Sequence, residues 1–156
     1  MTRQQLHSAG VGVLLTAVLL TASQWPAICK AQEPAKSDQE RLQGTWECIA
    51  AVKDGKQVTT YVGVRATMQG NRLTWTFPQP GAQPKVMQAT FRIDSKQNPK
   101  HFDWYVPEKP NDIHRRLYIL KGDVLIWSTN LGAGERPTSF VTGQWQFVMN
   151  RVSPRK

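Results

Sequence analysis

Apolar and polar residues alternate with a period of two along most of the chain after residue 44. In the clearest segment, Leu73, Trp75 and Phe77 alternate with arginine and threonine. Such alternation is typical of strands with one buried face. Turn-forming residues such as Asp54-Gly55 separate the alternating segments. The pattern predicts eight strands, at residues 44–52, 64–68, 72–77, 87–93, 101–106, 113–120, 124–127 and 144–149.

A short helix is expected before the first strand. Ser37 or Asp38 can cap it, and Glu40 stands three residues after Ser37, as in a capping box. No later segment has a helical period long enough for a crossover connection, so consecutive strands should pair antiparallel. Because closure removes exposed strand edges, the prediction is an all-β, eight-stranded up-and-down barrel with a short N-terminal helix.

The alternation also assigns side chains to the two faces of each strand. In the first strand it predicts that Trp46, Cys48, Ala50 and Val52 point into the barrel. Small residues on this inner face, such as Ala50, would leave room for a cavity.

Residues 1–31 have the pattern of an export signal. Arg3 is followed by an uncharged stretch at 9–23 that is too short to span a membrane. Small residues at Cys29 and Ala31 favour cleavage after Ala31. The predicted organisation is a signal peptide at 1–31, a linker at 32–37 and a barrel domain at 38–153, located in the periplasm or outside the cell.

Charge and cysteine content exclude several classes of function. The chain has 20 basic and 11 acidic residues. Most of the basic residues are isolated, and within the predicted strands only Arg115 and Arg116 are adjacent. We interpret them as a solvated basic surface and predict no nucleic-acid partner. If Cys29 leaves with the signal, Cys48 cannot form an intrachain disulfide and is expected to be a buried, inert thiol.

Five segments carry a distinctive set of motifs: 38–46, ending in Leu-Gln-Gly-Thr-Trp; 54–56, Asp-Gly-Lys; 99–103, Pro-Lys-His-Phe-Asp; 118–125, containing Gly-Asp; and 135–140, Glu-Arg-Pro-Thr-Ser-Phe. In this order they resemble a family of small exported domains that is abundant in planctomycetes. The resemblance implies an exported, lipocalin-like barrel of unestablished activity. One departure is Ile126-Trp127-Ser128, where the family more often has a charged residue, an aliphatic residue and a cysteine.

The lipocalin-like resemblance implies a structural closure at one end of the barrel. Gly44 and Trp46 would form it, with an arginine from the last strand stacked on the indole. Arg151 shares the inward parity of that strand and is the predicted partner. Arg136, held by the following proline, is the alternative for the same position.

The aromatic residues suggest a ligand site within the barrel. An eight-stranded barrel can be filled by side chains or can hold one small ligand. Both alternatives stay open from the sequence. For a hollow barrel, we predict a calyx for a small hydrophobic ligand, lined by Trp75, Phe91, Trp104, Tyr118 and Trp127.

The two strands of residues 113–127 are apolar on both faces. A strand with one face in water should not have this pattern, so a helix, a loop or another protein is expected to cover the outer face. The alternative function is therefore a filled barrel that docks an envelope protein through Leu117, Ile119, Val124 and Ile126.

Catalytic and metal-binding arrangements have little support in the sequence. His101 and Asp103 share one strand face and His114 follows on another strand, but their spacing matches no recognisable zinc motif. Asp103 recurs in the resembled motif without a partner carboxylate. We predict no catalytic residues, no metal and no cofactor, and we predict that the protein is not an enzyme.

Overall fold

The computed structural model describes residues 35–130, 132 and 134–153. The predicted signal peptide and residues 32–34 of the predicted linker lie outside these residues. In the described part of the chain, no helix is long and apolar enough to cross a membrane.

One short helix precedes a set of consecutive strands. The helix is α1, Asp38–Leu42. The strands are β1 Gly44–Lys53, β2 Lys56–Val58, β3 Arg65–Gln69, β4 Arg72–Phe77, β5 Lys85–Asp94, β6 Lys100–Tyr105, β7 His114–Lys121, β8 Val124–Thr129 and β9 Trp145–Arg151.

The strands form a closed antiparallel barrel. From β3 to β9 each strand pairs with the next, while β1 pairs with both β3 and β9 and so closes the sheet. The prediction of an eight-stranded, all-β up-and-down barrel with a short N-terminal helix is confirmed. The core is largely aromatic and aliphatic, and Trp46 and Trp127 are among its fully buried side chains.

β2 is a ninth strand that the alternation did not predict. It pairs with the second half of β1, through Ala51–Lys53, whereas β3 pairs with the first half, through Gly44–Glu47. Lys56 and Gln57 are exposed, so this three-residue strand has no alternating apolar face to reveal it.

A bulge in β1 corrects the predicted face of two residues. The pairing with β9 shifts between Cys48 and Ala50, so that Ala50 rather than Ile49 follows Cys48 in the ladder. An extra residue reverses the parity beyond the bulge. Ala51 is therefore the buried residue, and the prediction that Ala50 and Val52 point inward was wrong.

The helix is held at one end of the barrel by its cap and by a single apolar side chain. Ser37 caps α1, and the Ser37 and Glu40 side chains bond each other's backbone N–H groups in a capping box. Leu42 is fully buried. A helix this short is not stable by itself, so its position depends on the barrel beneath it.

Asp38 connects this helix to the barrel wall. Its carboxylate accepts hydrogen bonds from Lys100 Nζ at 2.6 Å and from the Tyr118 hydroxyl at 2.7 Å. Burial by itself would raise the pKa of Asp38, but the hydrogen bonds from Lys100 and Tyr118, together with nearby positive charge, outweigh it and lower the pKa. The ionised carboxylate therefore stabilises the fold.

We expect Asp38→Asn to lower the free energy of unfolding by about 1–2 kcal/mol at pH 7. A depressed carboxyl pKa contributes stability that is complete above the unfolded-state pKa and is lost as the pH falls through the folded-state pKa. Denaturant unfolding should therefore show a difference between wild type and variant that shrinks below about pH 4. Asp112→Asn, in a distant loop, is the control. A difference that stays constant down to low pH would contradict this role.

Candidate functional site

The closed end of the barrel contains the Gly44–Trp46 motif. Arg151, the predicted partner of Trp46, lies with Cζ 4.2 Å from the indole centroid. Its Nη1 and Nη2 donate to the carbonyls of Gln43 and Arg41, and its Nε donates to Asp123. All three nitrogens of this guanidinium are thus bonded to the protein.

Gly44 allows the chain to pass beneath that guanidinium. Its φ of +109° is one that other residues rarely adopt, and a Cβ there would lie 3.1 Å from Arg151 Nη1. The Trp46 indole N–H donates to the carbonyl of Leu42 at 2.8 Å. These contacts join α1, β1 and β9, so this end of the barrel is a structural closure.

A cavity of about 210 Å³ lies farther along the strands, away from α1. On β9, Arg151 is at the closed end, and Phe147, four residues back along the strand, lines the cavity. Gly132 of the β8–β9 loop also lines it and is exposed, so the cavity reaches the protein surface. The wall is mainly aromatic, formed by Tyr61, Trp75, Phe77, Trp104, Trp127 and Phe147.

Three of the five predicted calyx residues lie on this wall. Trp75, Trp104 and Trp127 come from alternate strands and pack against one another, with Trp75 centroid distances of 6.2 Å to Trp104 and 5.4 Å to Trp127. The other two lie in the packed core. Phe91 stacks on Phe102 at 5.1 Å, and the Tyr118 hydroxyl bonds Asp38. The barrel is thus packed toward α1 and hollow toward the opposite end.

Arg116 is the principal polar group in this cavity. It lies on β7 with the same inward parity as Tyr118 and Leu120, and it is only 9% exposed. Its Cζ lies between 5.1 and 5.4 Å from three indole centroids and 5.9 Å from the Phe147 centroid. These cation–π contacts partly offset the cost of burying the charge.

The guanidinium of Arg116 has no counter-charge among the described residues that line the cavity. Within that part of the chain, its Nε and Nη1 are buried without a hydrogen-bond partner. The indole nitrogens of Trp75, Trp104 and Trp127 are likewise buried and unbonded. Burial lowers the pKa of Arg116 to about 9, so the guanidinium stays protonated at neutral pH. The cavity therefore has a mainly aromatic wall, one positive charge and several N–H donors without acceptors among the described residues.

His114 stacks on the wall beside this charge. Its ring lies 3.9 Å from the Trp104 ring centroid, with an interplanar angle of 3°. Burial, and to a lesser extent the charge of Arg116, lower the pKa of His114. The imidazole is therefore neutral at pH 7 and adds no second charge to the cavity.

Cys48 also lines the cavity, and it is 2% exposed. Burial raises the pKa of its thiol. A thiol of this kind is a poor nucleophile at neutral pH.

The outer face of the β7–β8 hairpin is partly covered by the chain itself. Leu117 is 1% exposed, and its register partner Ser128 is fully buried. Ser128 Oγ donates to the carbonyl of Phe140 in the β8–β9 loop, and a Cβ on Gly143 would overlap Ser128. The same loop therefore packs on this part of the face. Of the residues predicted to dock a partner, Ile119 and Val124 are exposed and Ile126 is partly buried.

Asp103 and Arg136 hold that loop in place. Arg136 Nη2 lies 2.7 Å from the Asp103 carboxylate, and its Nη1 donates to the main-chain carbonyl of Arg116 at 2.6 Å. Arg92 makes a longer contact of 3.4 Å with the same carboxylate. Arg136, the alternative partner for Trp46, thus lies on the outer wall, and this alternative was wrong. Asp103 acts as an anchor for the β8–β9 loop.

The histidines and acidic side chains do not converge on one point. His101 lies beside Asp103 on the outer wall, whereas His114 faces the cavity. In the described ranges, no group of three or more His, Cys, Asp or Glu side chains is placed to hold a metal ion.

Comparison of the chain with protein-family models, with curated proteins and with solved structures finds no match.

Proposed function

We propose that this domain is an exported binding module that holds a small, largely apolar molecule at the hollow end of its barrel. The observation that carries the proposal is the aromatic cavity of about 210 Å³. Barrel interiors are normally packed with few voids larger than a water molecule, so an aromatic space of this size between the strands is unusual even though it opens to the surface. An apolar cavity of about 150 Å³ is large enough to bind benzene in another protein. The expected occupant is thus one aromatic ring with a substituent, or a short acyl chain.

The way the chain uses its aromatic residues supports this proposal. Side chains near α1 pack directly on one another, as Phe91 and Phe102 do. At the other end, three indoles line an open cavity, although side chains of this size could have filled it. They are those of Trp75, Trp104 and Trp127. Unfilled apolar volume reduces stability, and an apolar ligand would restore the missing contacts.

Export and family membership belong to the same proposal. Export is supported by the charge and hydropathy pattern of residues 1–31. Membership in the planctomycete family is supported by the five motifs, several of which have structural roles here. Gly44 and Trp46 form the closed end, and Arg136 anchors a loop.

Docking of an envelope protein through the outer hairpin has weaker support, because the domain's own loop covers Leu117.

Tryptophan fluorescence provides a test of ligand binding. We expect toluene, geraniol or octan-1-ol to change the emission saturably, because three indoles line the cavity. Val64→Phe should weaken binding about tenfold or more, since Val64 lines the cavity and the larger side chain would occupy it.

Val62→Phe is the matched control for this experiment. Val62 lies two residues away, is 46% exposed and should tolerate the same substitution without any effect on binding. Thermal unfolding would show that both variants are folded. An emission spectrum that none of the compounds changes would refute the proposal, as would equal binding by both variants.

A further inference from the structure

Arg151 and Arg116 both contact indole rings in this barrel, but their N–H donors differ in whether they have hydrogen-bond acceptors. Arg151 stacks on Trp46, and all three of its nitrogens donate to oxygen atoms of the protein. Arg116 contacts more aromatic rings, yet its Nε and Nη1 have no acceptor within the described residues. A structural cation of the Arg151 type does not leave its donors unused.

A buried and unpaired guanidinium is costly to maintain. Moving a cation out of water is unfavourable unless charges or hydrogen bonds compensate for the lost hydration. Cation–π contacts with the rings of Trp75, Trp104 and Trp127 supply part of this compensation. They attract the charge, but they provide no oxygen for the N–H groups. The remaining requirement is for an acceptor, preferably an anionic one.

The protein does not supply that anion from the cavity wall. No aspartate or glutamate is among the described residues lining the cavity. Asp103, which lies on the neighbouring strand, faces outward and is paired with Arg136 and Arg92. The Asp103 carboxylate is therefore paired on the outer wall, and the positive charge of Arg116 has no counter-charge among the described residues of the cavity wall.

We propose that the cavity binds an organic monocarboxylate, with its acid group paired to the Arg116 guanidinium and its apolar body among the indoles. This inference rests on the proposed function and specifies the class of ligand. A carboxylate can accept two parallel N–H groups from one guanidinium, and a single negative charge balances the single positive charge. The rings of Trp75, Trp104 and Trp127 have centroids 5.1–5.4 Å from the Arg116 Cζ, and within the described part of the chain their indole N–H groups are buried without a partner. The cavity volume of about 210 Å³ limits the body to a short chain or one ring.

Calorimetric titration with matched acids and alcohols tests the inference. The probes are octanoate against octan-1-ol, and 3-phenylpropanoate against 3-phenylpropan-1-ol. We expect wild type to bind at least one acid about tenfold or more tightly than its alcohol, because a hydrogen bond to a charged group contributes about 1.5–3 kcal/mol. In Arg116→Met this preference should disappear or reverse, because the acid loses its cationic partner whereas the alcohol loses only a hydrogen bond to a neutral group. Arg72→Met, an exposed substitution near the closed end, should behave as wild type does.

The stability of Arg116→Met distinguishes a ligand-binding arginine from a structural one. Replacing an unpaired buried charge by an apolar residue of similar length is often neutral or stabilising. We therefore expect the Tm to be unchanged or higher.

If Arg116→Met does not fold, a measurement on wild type decides the question. The carboxyl ¹³C signal of labelled octanoate should titrate at a lower pH when bound than when free, because the adjacent cation favours the ionised acid.

The outcomes separate the two proposals. If acids and alcohols bind wild type equally, or if Arg116→Met retains the preference for the acid, the carboxylate inference fails while the ligand-binding proposal stands. A bound carboxyl group that titrates above the free acid also overturns the inference. If no compound of either pair binds, both proposals fail.

Discussion

Replacing Trp46 by alanine is expected to lower the free energy of unfolding by about 3–5 kcal/mol, the usual cost of removing a large buried aromatic side chain. Trp46 is fully buried and donates its indole N–H to the carbonyl of Leu42. Its removal would also leave the Arg151 guanidinium without the ring on which it stacks. Since native domains are stable by only about 5–15 kcal/mol, this loss is a large fraction of the total. Denaturant unfolding followed by circular dichroism measures the loss.

Trp46→Phe is the informative comparison for this experiment. Phenylalanine keeps a ring beneath Arg151 but lacks the N–H donor to Leu42, so a smaller loss of about 1–2 kcal/mol is expected. Trp145→Ala serves as a second control, because Trp145 lies on β9 far from the closed end and outside the main core cluster. If Trp46→Ala were no more harmful than Trp46→Phe, the assignment of a closing role to the indole would be wrong.

Arg151→Met should have the next largest effect, lowering the free energy of unfolding by about 2–4 kcal/mol. The substitution leaves the carbonyls of Arg41 and Gln43 without their donor and removes the cation from Trp46. The ion pair with Asp123 contributes little, since that carboxylate is 80% exposed. Thermal and denaturant unfolding at two salt concentrations would measure both the loss and its small dependence on screening.

Arg151→Lys tests whether the charge or the geometry matters. A single ammonium retains the charge near the indole but lacks the planar guanidinium that bonds both carbonyls, so the loss should be about half of that in Arg151→Met. A lysine variant as stable as wild type would show that charge alone is sufficient. Ligand binding should be retained in whatever fraction of either variant is folded, because Arg151 does not line the cavity.

The difference between the two arginines suggests a division of the barrel into a supporting end and a binding end. At the supporting end, the polar groups of Arg151 are bonded and the side chains pack closely. At the binding end, the donors of Arg116 are unbonded and the aromatic rings surround open volume. Among the described residues, five of the seven buried side-chain atoms without a hydrogen-bond partner belong to residues that line the cavity. The other two belong to Trp145 and to Asp103, whose carboxylate is paired with Arg136. Buried polar atoms without a partner are rare in native proteins, so their number at the cavity requires an explanation.

Much of the site could be predicted from parity alone. Trp75, Trp104 and Trp127 were placed inward by alternation, and all three line the cavity. The same alternation also puts Arg116 on the inner face with Tyr118, but its charge and its neighbour Arg115 led to its interpretation as a surface residue. A charged residue that the alternation places on the inner face of a barrel is a signal that could have identified the site.

Other features could not be predicted, because they depend on contacts between distant parts of the chain. Phe91 and Tyr118 have the same inward parity as the wall residues, yet they lie in the packed half of the barrel. Alternation gives the face of a residue but not its height in the barrel, which is set by the relative register of neighbouring strands. The β1 bulge has no local sequence signal and reverses the faces of Ala50 and Ala51.

By itself, the sequence determined the fold class and the helix cap, since alternation, turns and capping are properties of neighbouring residues. It also determined that Trp46 and Arg151 face inward. Only the tertiary structure decided which half of the barrel is packed, that the β8–β9 loop packs over Leu117, and that Arg116 lacks a counter-charge. These outcomes depend on closure of β1 against β9 and on the register of every strand between them, and so on pairings that no local pattern encodes.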